Sequence, residues 1–144
     1  MSGVLVFHTG FPLTVTTPGD TANAGGNIVQ VPNRNAQAIL PRSQETLTRF
    51  FDTAAFTAQA QYTLGNAGVG SIYGPGYRNL DLSFGKIFRV TERSSVQFRS
   101  EFFNAANHPN WGLPGVSFGT ATFGKITSTT GDARTLQFGL KLLF

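Results

Sequence analysis

The chain has no cysteine, a single methionine and a single tryptophan among 144 residues, and only 12% of it is charged. Without cysteine there is no disulfide framework, which suits an exported protein and a cytosolic one equally and leaves the redox compartment open. No run approaches the roughly 18 apolar residues that a membrane helix needs, so a helical membrane protein is excluded. Long stretches of Ala, Leu, Glu and Lys are also missing, which removes a mainly helical fold. The eleven Lys and Arg residues outnumber seven Asp and Glu, for a net charge of +4. These cations are scattered from Arg34 to Lys141 with no cluster of three, a pattern that argues against nucleic acid as a partner. The first residues, Met-Ser-Gly-Val-Leu-Val-Phe, carry no cation ahead of an apolar run too short for a signal-peptide core, so Met1 reads as the start of a fragment.

What is present is glycine and phenylalanine, seventeen and fourteen residues respectively, a composition of turns and aromatic strands. With 40% hydrophobic residues and a mean hydropathy of −0.04, one all-β domain is expected. The clearest strand is the last. From Ala133 onward the even positions are Leu136, Phe138, Leu140, Leu142 and Phe144, while the odd positions are Thr135, Gln137, Gly139 and Lys141, with Leu143 the one exception. That is a period of two with one apolar and one polar face.

Two further segments alternate in the same way. Residues 78–90 set Leu80, Leu82, Phe84, Phe88 and Val90 against Asn79, Asp81, Ser83 and Arg89; residues 94–104 set Val96, Phe98, Ser100 and Phe102 against Gln97, Arg99 and Glu101. Lys86 falls on the apolar face and Ile87 on the polar one. This predicts either a bulge near Gly85 or a lysine whose stem lies along the surface. Arg99 and Glu101 are placed to pair with Asp81 or Arg89 across the hairpin. A fourth strand is expected at residues 3–8 and a short one at 123–127. Residues 16–76 and 104–132 show no sustained period and read as two very long loops, whereas Thr91-Glu92-Arg93 is a tight turn. The order is long loop, strand, short turn, strand, long loop, strand. Long connections therefore fall on one side and the short one on the other, as in outer-membrane barrels.

Several blocks carry a closer likeness. Phe50-Phe51-Asp52-Thr53-Ala54-Ala55-Phe56 with Gly65-Asn66-Ala67-Gly68, Gly74-Pro75-Gly76-Tyr77-Arg78-Asn79-Leu80-Asp81-Leu82-Ser83, and the run from Val96 to Asn110 ending Asn104-Ala105-Ala106-Asn107-His108-Pro109-Asn110 together resemble the carboxyl end of TonB-dependent outer-membrane receptors of the Oar-like, acidobacterial type. So do Phe-Gly-Lys-Ile-Thr-Ser at 123–128 and the final strand. The pattern departs from this chain at Gly85 and Ile87, where an aromatic and a polar residue are expected.

The resemblance implies that residues 1–144 are the last strands of a 22-stranded plugged barrel whose earlier strands and plug lie outside the chain. It implies outer-membrane lipid, the barrel-assembly machinery and, through the missing plug, the TonB system as partners, a cell outer-membrane location, and uptake of a large or scarce substrate without enzymatic chemistry or a cofactor. Phe138, Leu140, Leu142 and Phe144 are then the assembly signal. The competing class is a soluble β-sandwich that presents its loops to carbohydrate or protein.

Catalytic patterns are weak. Gly119 to Lys125 nearly spells a phosphate-binding loop, but Ile126 stands where a Ser or Thr is required. Gly115-Val116-Ser117-Phe118-Gly119 has nucleophile-elbow spacing, yet both histidines, His8 and His108, precede it. Two histidines a hundred residues apart do not make a metal site. Trp111, with His108 nearby in sequence, is expected either in an interfacial aromatic girdle or at an extracellular ligand contact.

Overall fold

The computed structural model describes residues 1–25 and 28–144, and is built from eight strands: β1 (Ser2–His8), β2 (Pro12–Leu13), β3 (Asn33–Arg34), β4 (Phe56–Thr57), β5 (Ile72–Tyr73), β6 (Tyr77–Arg89), β7 (Ser95–Phe103) and β8 (Thr135–Leu143). The four long strands form one antiparallel sheet in the order β1-β6-β7-β8. In β6, β7 and β8 apolar residues alternate with polar ones, so each commits one face to apolar contact, whereas β1 is apolar at four consecutive positions, Val4 to Phe7. Residues 1–8, 77–110 and 130–144 make up this first compact unit, and residues 9–76 with 111–129 make up a second.

Within the sheet the register is unbroken. Leu82 pairs with Phe102 and Arg89 with Ser95 in β6–β7, while Ser95 pairs with Leu143 and Phe103 with Thr135 in β7–β8. One residue opposes one residue at every step, so there is no bulge at Gly85. The turn after β6 is closed by Val90 and Thr91 N–H groups donating to the Ser94 carbonyl at 2.9 and 3.1 Å, and the Thr91 hydroxyl accepts from Ser94 N–H at 3.0 Å. His8 lies opposite Tyr77, so β1 ends, β6 begins, β7 ends and β8 begins at the same edge of the sheet. Both long excursions leave from that edge, and the Thr91–Arg93 turn lies at the other.

The two long loops read from the sequence supply the second unit, which has a core of its own. Val15, Ala38, Phe50, Phe51, Ala55, Phe56, Ala67, Ile72 and Ile126 are buried together as one core. Phe51 and Phe56 meet edge to face at 6.0 Å, and Phe123 packs on Phe51 at 5.2 Å and on Phe56 at 5.9 Å. Regular ladders contribute little: β2–β5 and β3–β4 are two-residue pairs, and the segment expected as a strand at 123–127 supplies only an isolated bridge between Gly115 and Phe123. Single backbone bonds do the stitching, among them Phe50 N–H to Gly124 O and Ile126 N–H to Leu47 O, both 2.8 Å. They satisfy backbone groups that no sheet pairs. Just beyond the β2–β5 pair the two segments approach so closely that a Cβ on Gly10 would lie 1.7 Å from the Gly74 carbonyl oxygen.

Candidate functional site: a two-faced sheet and its loop-end clamp

Because paired residues share a face in an antiparallel ladder, the register defines two surfaces. One carries Leu5, Phe7, Leu80, Leu82, Phe84, Phe88, Val96, Phe98, Phe102, Leu136, Phe138, Leu140 and Leu142. Its aromatics form a connected set: Phe84 meets Phe102 edge-on at 5.8 Å, Phe102 meets Phe138 edge-on at 6.3 Å, and Phe98 stacks on Phe138 at 6.3 Å. Ser100 sits in the row between Phe84 and Phe138 and is buried beneath them, a small residue where a larger one would push the rings apart. Yet this face is not a core. Leu140 is 75% exposed, Leu5 72% and Phe138 63%. A sandwich would bury such a face against a second sheet; an apolar surface of this size, rimmed by polar groups, marks an interaction site or a membrane contact.

The reverse face carries Asn79, Asp81, Ser83, Arg89, Gln97, Arg99, Glu101, Gln137 and Lys141, with the apolar Val4, Val6, Phe103 and Leu143 toward its ends and outer strands. Arg99 and Glu101 bond each other along the strand at 2.6 Å. The expected pairing with Asp81 or Arg89 does not form, since the register sets Arg99 opposite Gly85 and Glu101 opposite Ser83. Ile87 stays on this polar face, as its parity dictates. Lys86 stays on the apolar one, its Nζ drawn over the Phe88 ring at 5.2 Å. The stem therefore lies along the surface and carries its charge two residues toward the turn end. At the loop end, Arg78 caps Phe7 in the same manner at 5.5 Å.

That loop end is held by residues to which the sequence reading gave no role. Beyond Phe103 the β7 strand stops, but β6 continues, and its backbone groups still need partners. Ala105 N–H donates to the Leu80 carbonyl at 2.7 Å. Further out, the buried Asn110 side chain substitutes for a strand: its Oδ1 accepts from Arg78 N–H and its Nδ2 donates to Arg78 O, each at 2.8 Å. Asn104, in the left-handed region at φ 47°, accepts from His108 N–H at 3.0 Å and donates to the carbonyls of His108 and Asp132, each at 3.2 Å. Asp81 accepts from Asn104 N–H at 2.9 Å. The signal was visible in the asparagines of Asn104-Ala-Ala-Asn107-His-Pro-Asn110, because Asn tolerates positive φ and its amide copies a peptide group. Asn110→Ala leaves both Arg78 backbone groups without this partner and is expected to destabilise the sheet unit by about 1–3 kcal/mol. Chemical denaturation with the Arg78 amide followed by hydrogen exchange checks this; unchanged protection there would remove the clamp.

Of the site residues read from the sequence, Phe138, Leu140 and Leu142 share the apolar face, and Phe144 follows β8 almost fully exposed. His108 is exposed, with its backbone tied to Asn104. Trp111 packs edge-on against Phe50 at 6.4 Å and is half-buried against the second unit's core, a third use beside the two read from the sequence. Ser117 lies in a parallel bridge with Thr16 and is followed by a turn rather than a helix.

A single meander with one apolar and one polar face, long excursions at one end and a tight turn at the other, is how a membrane barrel wall is built. The family described as outer membrane beta barrel domain matches residues 1–137. The chain belongs to that family. No curated protein and no solved structure matches it. Membership makes the all-β sheet a barrel wall and places the domain in the outer membrane.

Proposed function

We propose that the chain is the wall and loop segment of a TonB-dependent outer-membrane transporter, with no enzymatic step of its own. The observation that carries this reading is the polarity of the sheet: two excursions of more than twenty residues leave from one edge, and a three-residue turn closes the other. The motif blocks that resemble the carboxyl end of such receptors support it, as does the sheet's geometry. Four strands are too few to close a barrel, whose small members have about eight, and β1 and β8 each pair on one side only. Further strands of the receptor would pair with those two edges. Partners follow from the same reading: lipid against Leu5, Leu82 and Leu140, the barrel-assembly machinery at Phe138, Leu140, Leu142 and Phe144, and the TonB system acting through a plug.

The loop end then faces the cell exterior and the Thr91–Arg93 turn faces the periplasm. Cysteines introduced as Asn35→Cys and Glu92→Cys in the receptor separate the two sides. A membrane-impermeant maleimide added to intact cells is expected to label Asn35→Cys and to leave Glu92→Cys untouched until the outer membrane is opened. Labelling of Glu92→Cys alone in intact cells inverts the topology and removes the reading.

A further inference from the structure

Within the second unit, Asp20, Thr21, Asn23, Gln59, Gln61 and Tyr62 line an open cavity of about 630 Å³, within the range of about 300–1,000 Å³ that small-molecule sites occupy. One lining residue, Gln59, is tied into a buried hydrogen-bond network behind it. Gln30 and Gln59 are both about nineteen-twentieths buried. The Gln59 amide donates to Gln30 Oε1 at 3.3 Å and accepts from the Thr17 hydroxyl at 3.2 Å, while Gln30 Oε1 also accepts from Ala22 N–H at 3.1 Å and its amide donates to Asp20. The rim is strained at Tyr62. Asn23 and Tyr62 both lie in the left-handed region, at φ 51° and 62°, with Tyr62 N–H bonded to Thr21 O at 2.9 Å and Asn23 N–H to Asp20 O at 3.1 Å. A tyrosine at positive φ is held there only by its surroundings, and such positions gather at ligand sites.

The chemistry of the lining narrows the ligand. Asp20 accepts from Ala24 and Gly25 N–H groups, each at 3.1 Å; these bonds hold its carboxyl below the ordinary carboxylate range, and among the described residues no cluster of three metal-ligating side chains surrounds it. Among the described residues no lysine or arginine lines the cavity to receive an anion. Tyr62, 67% exposed, offers the one aromatic face. Among the described residues no hydrogen bond engages the side chains of Thr21, Asn23, Gln61 or Tyr62, so hydroxyl, amide and phenol groups are left to converge on the cavity beside a ring. Free amides that bond vicinal hydroxyls and an aromatic that covers a C–H face suit a neutral sugar.

We propose that this cavity binds a neutral saccharide. The inference rests on the transporter reading for its place outside the cell, and it names the class of solute that the receptor would capture. The test titrates the purified full-length receptor, in a detergent without a sugar headgroup, with maltose and with cellobiose by calorimetry. Saturable binding of at least one disaccharide is expected. Tyr62→Gly removes the ring but suits the backbone at φ 62°, so it is expected to fold at least as well and to bind about tenfold or more weakly. Absence of binding by both sugars, or unchanged affinity in Tyr62→Gly, overturns the proposal. Uptake in cells with and without the TonB protein keeps the two readings apart. Saccharide binding with TonB-independent uptake leaves the site standing and removes the transporter; TonB-dependent uptake of another solute with no saccharide binding does the reverse.

Discussion

Phe51→Ala is expected to destabilise the second unit by about 3–5 kcal/mol, the range for removing a buried aromatic ring. Phe51 is 2% exposed and is gripped edge-on by Phe56 and Phe123. Phe123 comes from the excursion between β7 and β8, whereas Phe51 and Phe56 come from the one between β1 and β6. Loss of the Phe51 ring therefore loosens the joint between the two excursions as well as leaving a void. With so few ladder hydrogen bonds in this unit, the aromatic cluster and the single backbone bonds around it supply its cohesion. The measurable consequence is proteolysis on intact cells. The wild-type unit is expected to resist trypsin at Arg49 and Lys125, because Phe50 and Ile126 beside them are buried and backbone-bonded. The variant is expected to be cut there while the barrel keeps its heat-modifiable gel mobility. Equal cleavage of the two proteins would mean that the excursions behave as the free loops their sequence suggests.

The contrast between the two units explains how much was legible. β6, β7 and β8 are long enough for a period of two to repeat four or more times, and local alternation there coincides with the global register; even Lys86 and Ile87, which break the pattern, obey its parity. In the second unit the chain gives no such repeat. Phe50 and Phe51 are consecutive, and both are buried because the chain turns at once into the 3₁₀ turn Thr53–Ala55, whose start is capped by Asp52 accepting from Ala54 N–H at 3.3 Å. Burial set by turns and single long-range bonds leaves no periodic trace. The asparagine clamp was legible only in part: its run of asparagines stands out, but Asn110 works by replacing a backbone partner, a role that depends on where β7 stops. The cavity beside Tyr62 was also out of reach, since it joins residues 20–23 to 59–62 through contacts that no spacing encodes.

The last expected result turns on the two faces of β8. Leu140 and Gln137 are both exposed in the sheet, so in water Leu140→Arg and Gln137→Arg would each fall within about 0.5 kcal/mol of neutral. In the outer membrane they should part. Nine residues of β8 span about 30 Å along the strand, and at a tilt of 35–45° this matches the apolar band of about 25 Å. On the proposed reading, position 140 falls inside that band on the face turned to lipid. Its row runs through Phe98 to Lys86, which already holds one cation, but that amine is sheltered over Phe88, whereas an arginine at 140 has only Leu142 on the turn side. Leu140→Arg is accordingly expected to cost about 2 kcal/mol, the lower end of the midplane range. Gln137→Arg points to the interior, opposite Glu101, where a new cation gains a carboxylate and stays hydrated. The readout is outer-membrane abundance of the receptor carrying each change, with heat-modifiable mobility reporting the folded barrel. A marked loss for Leu140→Arg and near-normal levels for Gln137→Arg are expected. Equal losses would mean that lipid does not lie against the face that carries Leu140, and the assignment of outside and inside to this sheet would fall with it.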